Sequence, residues 1–246
     1  MPTPIALVTG SNQGIGRATA EALASQHGYH VLITSRTLSS AEHVASSLRS
    51  QGHKATALEL DLTSESSIQT AVETINRDFG ALDVLVNNAG ILIDHQKDKY
   101  RPWELYSKTM ETNVVGPGVL TELLVPLLRN APSGLPRIVF VTSSMGSLQM
   151  ATDKSLPWYP IDYKVYDASK AAVNMLMLNF ARVLEEDGGK GKVNAVCPGY
   201  VNTNLTGFDE RGTSIADGAR RVVEVVTAGA EGETRTFTNL SGTLPW

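Results

Sequence analysis

One stretch near the N-terminus, VTGSNQGIGRA (residues 8–18), constrains the fold more than any other. An apolar, β-branched run, IALVT (5–9), leads into it, and GRATAEALASQ, which reads as a helix, follows. A strand that passes through glycines directly into a helix is the opening of a βαβ unit built to hold a dinucleotide. Glycine lets the backbone come close to a pyrophosphate, and the helix N-terminus favours negative charge. Gly10, Gly14 and Gly16 follow a GxxxGxG spacing rather than GxGxxG. Without context such glycines are often only turn formers. The flanking strand and helix make the cofactor reading the stronger one.

The rest of the chain repeats the alternation. HVLIT (30–34), ATALEL (55–60), LDVLVN (82–87), RIVFVT (137–142) and VNAVC (193–197) read as strands, and a seventh is faintly signalled near Thr236. Helical patterns lie between them. One opens with a capping-box spacing at Ser39-Ser40-Ala41-Glu42 and stops near Gly52. A second carries Ile68, Val72, Ile75 and Phe79 ahead of Gly80. A long one runs from about Trp103 to Leu128, and another from Tyr166 to Glu186. The strands lack polar alternation, as expected of parallel strands buried on both faces. Strands joined by helices form right-handed crossovers. The expected fold is α/β: one Rossmann domain over residues 1–246, a doubly wound, mostly parallel seven-stranded sheet with helices on both faces. The last 17 residues, AEGETRTFTNLSGTLPW, are polar and hard to place.

Bulk properties remove other classes. A net charge of −4 argues against nucleic acid as a partner. No apolar run reaches the roughly 20 residues of a membrane span, and MPTPIALVTG lacks a basic start and long apolar segment, so no secretory signal is expected. The single cysteine, Cys197, permits no internal disulfide. Five histidines (27, 30, 43, 53, 95) are scattered without metal-ligand spacing, so no metal is expected. Together these point to a cytoplasmic protein.

The end of the second strand should meet the adenosine ribose. An acid there binds the 2′-hydroxyl of NAD; this chain has Ser35 and Arg36. A guanidinium suits a 2′-phosphate, so the expected cofactor is NADP(H).

Seven features now occur in one order: TGSNQGIG (9–16), Asp61 after the third strand, NNAG (87–90), Asn113, the serine pair 143–144, Tyr166-x-x-x-Lys170, and PGYVNT (198–203). In this order and on these elements the chain resembles the short-chain dehydrogenase/reductase family over nearly its whole length. The final LPW is similar to its carbonyl-reductase-like branch. The resemblance implies reversible, NADPH-dependent reduction of a ketone or aldehyde. It implies Tyr166 as proton donor to the carbonyl oxygen. Lys170 would hold the nicotinamide ribose and lower the tyrosine pKa. Ser144, taken as the second residue past the fifth strand, would bond the substrate oxygen, leaving Ser143 to backbone or cofactor. Asn113 would kink its helix and support a water chain to Lys170. Gly10, Asn12, Gly14, Ile15, Gly16, Ser35, Arg36, Asp61, Leu62, Asn88, Ala89, Gly90, Pro198, Gly199, Val201 and Thr203 would line the cofactor, with Tyr166 and Lys170. Asn87 would tie neighbouring strands together. In the family the helix holding NMLMLNF (174–180) often forms a dimer contact, which implies a homo-oligomer, dimer or tetramer, with a monomer still open.

The chemistry is consistent with those roles. A free phenol titrates near pH 10, and a nearby cation favours its phenolate. A developing alkoxide needs preorganised donors, which a serine hydroxyl and a phenol supply.

Two tyrosines compete for Lys170. Tyr166 is at i−4, about 6 Å away along a helix axis; Tyr163 is at i−7, about 10.5 Å away. The second spacing is that of related enoyl reductases, which act on a C=C bond. Pro157 and Pro160 place Tyr163 in the lead-in to the helix, which favours Tyr166. Three loops should frame a substrate: 94–103, 145–165 and about 200–215. Met150, Trp158 and Tyr159 in the second are candidates for an apolar wall, and no basic cluster stands out, so a neutral carbonyl compound is expected. Cys197 reads as a small buried residue at a strand end. An enone reductase using Tyr163 and a non-catalytic cofactor sensor are the rival readings.

Overall fold

The computed structural model describes residues 3–246. Seven strands run parallel: β1 (Ile5–Val8), β2 (His30–Ser35), β3 (Ala55–Glu59), β4 (Val84–Asn87), β5 (Arg137–Val141), β6 (Lys192–Val196) and β7 (Phe237–Asn239). An eighth, β8 (Gly242–Thr243), returns antiparallel to β7. Their spatial order is β3-β2-β1-β4-β5-β6-β7-β8. The expected seven strands are therefore eight. The polar tail closes the sheet as a hairpin too short to show as a hydrophobic run.

Alternate strand residues face opposite sides. Leu7, Leu32, Leu85 and Ile138 bury one face under α3 (Glu65–Phe79), α5 (Gly116–Arg129) and α6 (Lys164–Glu185). Ala6, Val8, Ile33, Val86 and Val139 bury the other under α1 (Gly14–His27), α2 (Leu38–Ser50) and α7 (Ile215–Thr227). Both faces are covered, which is why the strands show no polar alternation. Among the described residues no helix is long and apolar enough to cross a membrane.

Two local expectations change. The helix after β2 begins at Leu38, so the capping-box spacing at 39–42 falls inside it; Thr37 at its head makes no side-chain cap. The Glu59 carboxylate accepts the Leu38 N–H at 3.1 Å instead. The long helix is interrupted. After α4 (Pro102–Met110) come five residues of π-helix, Glu111–Val115, before α5. At the end of that segment, a Cβ on Gly116 would lie 2.2 Å from the Leu62 carbonyl oxygen, so only glycine permits the helix to pass there.

The chain order reverses at β1, with β2 and β3 on one side and β4 onward on the other. Ligands of such sheets bind in the crevice beyond the carboxyl ends of the strands at this reversal. Each motif singled out above, apart from Asn113 and the Tyr166–Lys170 helix, follows one of those ends.

Candidate active site

The glycine loop is shaped by its own backbone and braced by its neighbours. Gly10 and Gly14 have φ of +63° and +57°, a region that disfavours residues with a Cβ. A Cβ on Gly16 would lie 2.4 Å from Asn88 Nδ2 and 2.6 Å from the Gly10 carbonyl oxygen. The Gly10 N–H donates to Thr34 Oγ1 at 3.0 Å. Thr9 Oγ1 accepts the N–H groups of Asn88 and Ala89 at 2.9 and 3.0 Å, while Asn88 Nδ2 donates to the Thr9 carbonyl at 2.8 Å. The segments after β1 and β4 are thus strapped together. No side chain caps the start of α1, which leaves its first N–H groups available to an anion. A bare-backbone cradle and an uncapped helix fit a pyrophosphate.

Asn12, Ile15 and Gly14 lie on this loop, partly exposed. Ser35 ends β2, and Arg36 beyond it is exposed and makes no ion pair among the described residues. Asp61 and Leu62 follow β3; the Asp61 carboxylate accepts the Thr63 N–H and hydroxyl at 2.9 and 2.8 Å. Asn87 ties β4 not to a neighbouring strand but to α5, donating to Thr121 Oγ1 at 2.9 Å. After β6, Pro198 and Gly199 turn the chain, and Gly199 has φ +81°. Val201 is buried, and Thr203 comes within reach of the glycine loop: its Cγ2 would lie 3.8 Å from a Cβ on Gly14.

The candidate reacting groups converge on α6. Tyr166 and Lys170 are both buried. Lys170 Nζ donates to the Val141 carbonyl at 3.0 Å. Asn113, in the π-helical segment, is held by Ile91, accepting its N–H at 2.8 Å and donating to its carbonyl at 2.9 Å. It also donates to Ser169 Oγ at 3.0 Å, and Ser169 donates to the Tyr166 carbonyl at 2.6 Å. A Cβ on Gly90 would lie 3.3 Å from Asn113 Oδ1 and 3.5 Å from Lys170 Nζ. The glycine leaves that passage open.

The structure distinguishes the two serines. β5 ends at Val141, one residue before the sequence reading, so the second residue past it is Ser143, not Ser144. Ser143 is extended, its Oγ accepts the Met145 N–H at 3.1 Å, and it is the serine close enough to the Tyr166 phenol to oppose the rise in its pKa. Ser144 begins a tight turn, Ser144–Gly146, and its N–H donates to Cys197 Sγ at 3.2 Å. There the chain presses on α6, since a Cβ on Gly146 would lie 2.6 Å from the Lys170 carbonyl carbon. Cys197 is buried as expected, but it also adjoins Tyr166 and Lys170, which its sequence position did not announce.

Electrostatics depart from expectation in one respect. Burial pushes the Tyr166 phenol up, with Cys197 and Asp167 adding to the rise and the Ser143 hydrogen bond opposing it. Burial likewise pushes Lys170 down to about 8. Desolvation of both groups outweighs the expected lowering of the phenol by the ammonium. The neighbouring Asp167 carboxyl is pushed up to about 7 by burial, then by Asp94 and Asp162.

Tyr163 stands immediately before α6, as its N-terminal flanking residue. The 145–165 loop is a succession of turns that leaves Leu148, Tyr159 and Ile161 exposed. Trp158 and Met150 are half-buried in it, and Gln149 donates its N–H to the Trp246 carbonyl at 2.8 Å.

Known proteins are similar to this chain over most of its length. The model of a family described as short chain dehydrogenase matches residues 4–213. The short-chain dehydrogenase anuI of Penicillium roqueforti is 35% identical over 94% of this chain and 91% of its own. Carbonyl reductase 1 (NADPH) of Sus scrofa is 32% identical over 83% of this chain and 81% of its own. Among solved structures, NADPH-bound carbonyl reductase from chicken fatty liver superposes with a TM-score of 0.84 at 26% identity, covering 100% of both chains.

Proposed function

Because this chain belongs to the short-chain dehydrogenase family, a family of oxidoreductases, we propose that it is an NADPH-dependent reductase of ketones or aldehydes. The observation that carries this reading is the meeting of Tyr166, Lys170 and Ser143 beyond the ends of β5 and β6. When bound, NADPH supplies a hydride. Gly10, Gly14 and Gly16 with the start of α1 hold its pyrophosphate, and Arg36 holds its 2′-phosphate. Lys170, beside Gly90, holds the nicotinamide ribose.

Ser143 donates a hydrogen bond to the substrate oxygen and orients it. Tyr166 gives its proton to that oxygen as negative charge develops there. The phenol is protonated at neutral pH, as a proton donor in the reducing direction must be. Asn113 and Ser169 hold Tyr166 and its neighbours in place and support the passage to Lys170. The NADPH-bound carbonyl reductase and the carbonyl reductase of Sus scrofa support this choice of cofactor and substrate class. Exposed Leu148 and Tyr159 favour an apolar neutral carbonyl compound.

Exposed Val115 of the π-helical segment and Val119 and Leu123 of α5, with Leu176 and Phe180 of α6, line a surface hollow of about 460 Å³. We assign it to a second copy of this chain, and a monomeric mass for the native protein by light scattering counts against that.

NADPH oxidation over a panel of ketones and enones tests the reading. Tyr166→Phe abolishes ketone reduction and Tyr163→Phe does not. Enone reduction that depends on Tyr163, or tight NADPH binding without any turnover, overturns it.

A further inference from the structure

The start of α6 lacks a cap of its own. The first N–H groups of a helix have no partner within it, and Tyr163, which flanks α6, makes no side-chain cap. The nearby Asp162 is engaged elsewhere, by Lys164 Nζ at 2.8 Å. The cap comes instead from Asp94, in the short turn Asp94–Gln96 of the loop after β4. Its Oδ1 accepts the Val165 N–H at 2.9 Å and the Tyr166 N–H at 3.4 Å.

Asp94 is 4% exposed, and its Oδ2 has no hydrogen-bond partner among the described residues. A buried, half-satisfied carboxylate is costly, and the positive end of a helix offsets only part of that. Tyr166 is therefore held at both ends of its own residue. Its N–H meets Asp94, and its carbonyl meets Ser169, which Asn113 fixes in turn. The loop itself is pinned twice, at Ile91 by Asn113 and at Asp94 by α6.

We propose that Asp94 is a positioning residue for Tyr166, a cap lent by the loop after β4 that fixes the first turn of α6 and so sets the phenol against Ser143 and Lys170. The proposal rests on the reading of Tyr166 as proton donor. It also joins the 94–103 loop, which borders the substrate, to the proton donor through two hydrogen bonds.

The test uses the full chain with Asp94→Ala and Asp94→Asn. Amide exchange at Val165 and Tyr166 reports the cap, and turnover is counted per NADPH-binding site so that lost folding does not count as lost catalysis. In Asp94→Ala both amides exchange faster and kcat falls roughly 10- to 100-fold, as misplacement by a fraction of an ångström to 1 Å does. NADPH affinity stays within about threefold, because the change acts on the reacting step and not on uniform binding. Asp94→Asn keeps an acceptor oxygen and recovers most of both readouts. Unchanged amide exchange in Asp94→Ala overturns the cap. Faster exchange with unchanged kcat overturns the positioning role, and so does an Asn variant as poor as Ala. If Tyr166→Phe keeps its turnover, the reading of Tyr166 fails instead, and amide exchange still judges the cap by itself.

Discussion

Lys170 Nζ lies 5.5 Å from the centroid of the Tyr166 ring, over its face. The ammonium is thus bound to the phenol as a cation over an aromatic ring, and its hydrogen bond goes to Val141. Burial of the pair keeps the proton on Tyr166 and loosens the proton on Lys170.

That relationship sets a pH limit. Lys170 is charged below about 8 and neutral above it. The charged form is the one that favours an anionic cofactor, so NADPH binding should weaken as pH rises through about 8. Fluorescence titration with NADPH between pH 7 and 9.5 checks this, and a flat profile would contradict it.

Ser143 and Ser144 separate by substitution. Ser143→Ala removes a donor at the reacting oxygen, and kcat should drop by about 10²–10³-fold. Ser144→Ala leaves its N–H bond to Cys197 in place and should change kcat by less than about threefold. Steady-state kinetics with one good ketone is sufficient, and the reverse ranking would restore Ser144.

Arg36→Ala should weaken NADPH by about 10- to 100-fold, the worth of a hydrogen bond to a charged group, and leave NADH nearly unchanged. Equal effects on the two cofactors would remove Arg36 from the 2′-phosphate.

Asp167 carries a stability prediction. Its carboxyl titrates near 3.8 without the fold's influence and near 7 within it. Between those values the folded state holds the extra proton, so this group's contribution falls as pH rises from about 4 to about 7, and its full cost is present above 7. Asp167 is partly exposed, although its Oδ1 is buried without a hydrogen-bond partner among the described residues, so solvent screening reduces that cost to the order of 1 kcal/mol. Asp167→Asn should therefore raise Tm by about 2–4 °C at pH 8 and leave it unchanged at pH 4. Thermal melts at the two pH values check the sign.

Much of this was legible in the sequence because the relevant physics is local. A strand that turns through Gly10 to Gly16 into α1 is specified within a dozen residues, and Tyr166 and Lys170 share a face because four residues make about one helical turn. Unbroken apolar strands already required helices on both sides of the sheet. Tertiary structure decided what depends on distant partners. Beyond β5 the chain turns at Ser144, whose N–H goes to Cys197, and packing on α6 leaves Ser143 as the serine beside the phenol. Asp94 caps α6 from 71 residues away, so no local pattern announces it. β8 exists only because β7 is there to pair with. The residue types and their order determined the fold and the placing of Tyr166 and Lys170 on one helix face. Register, burial and contacts across the crevice decided which neighbour serves the tyrosine and which proton it keeps.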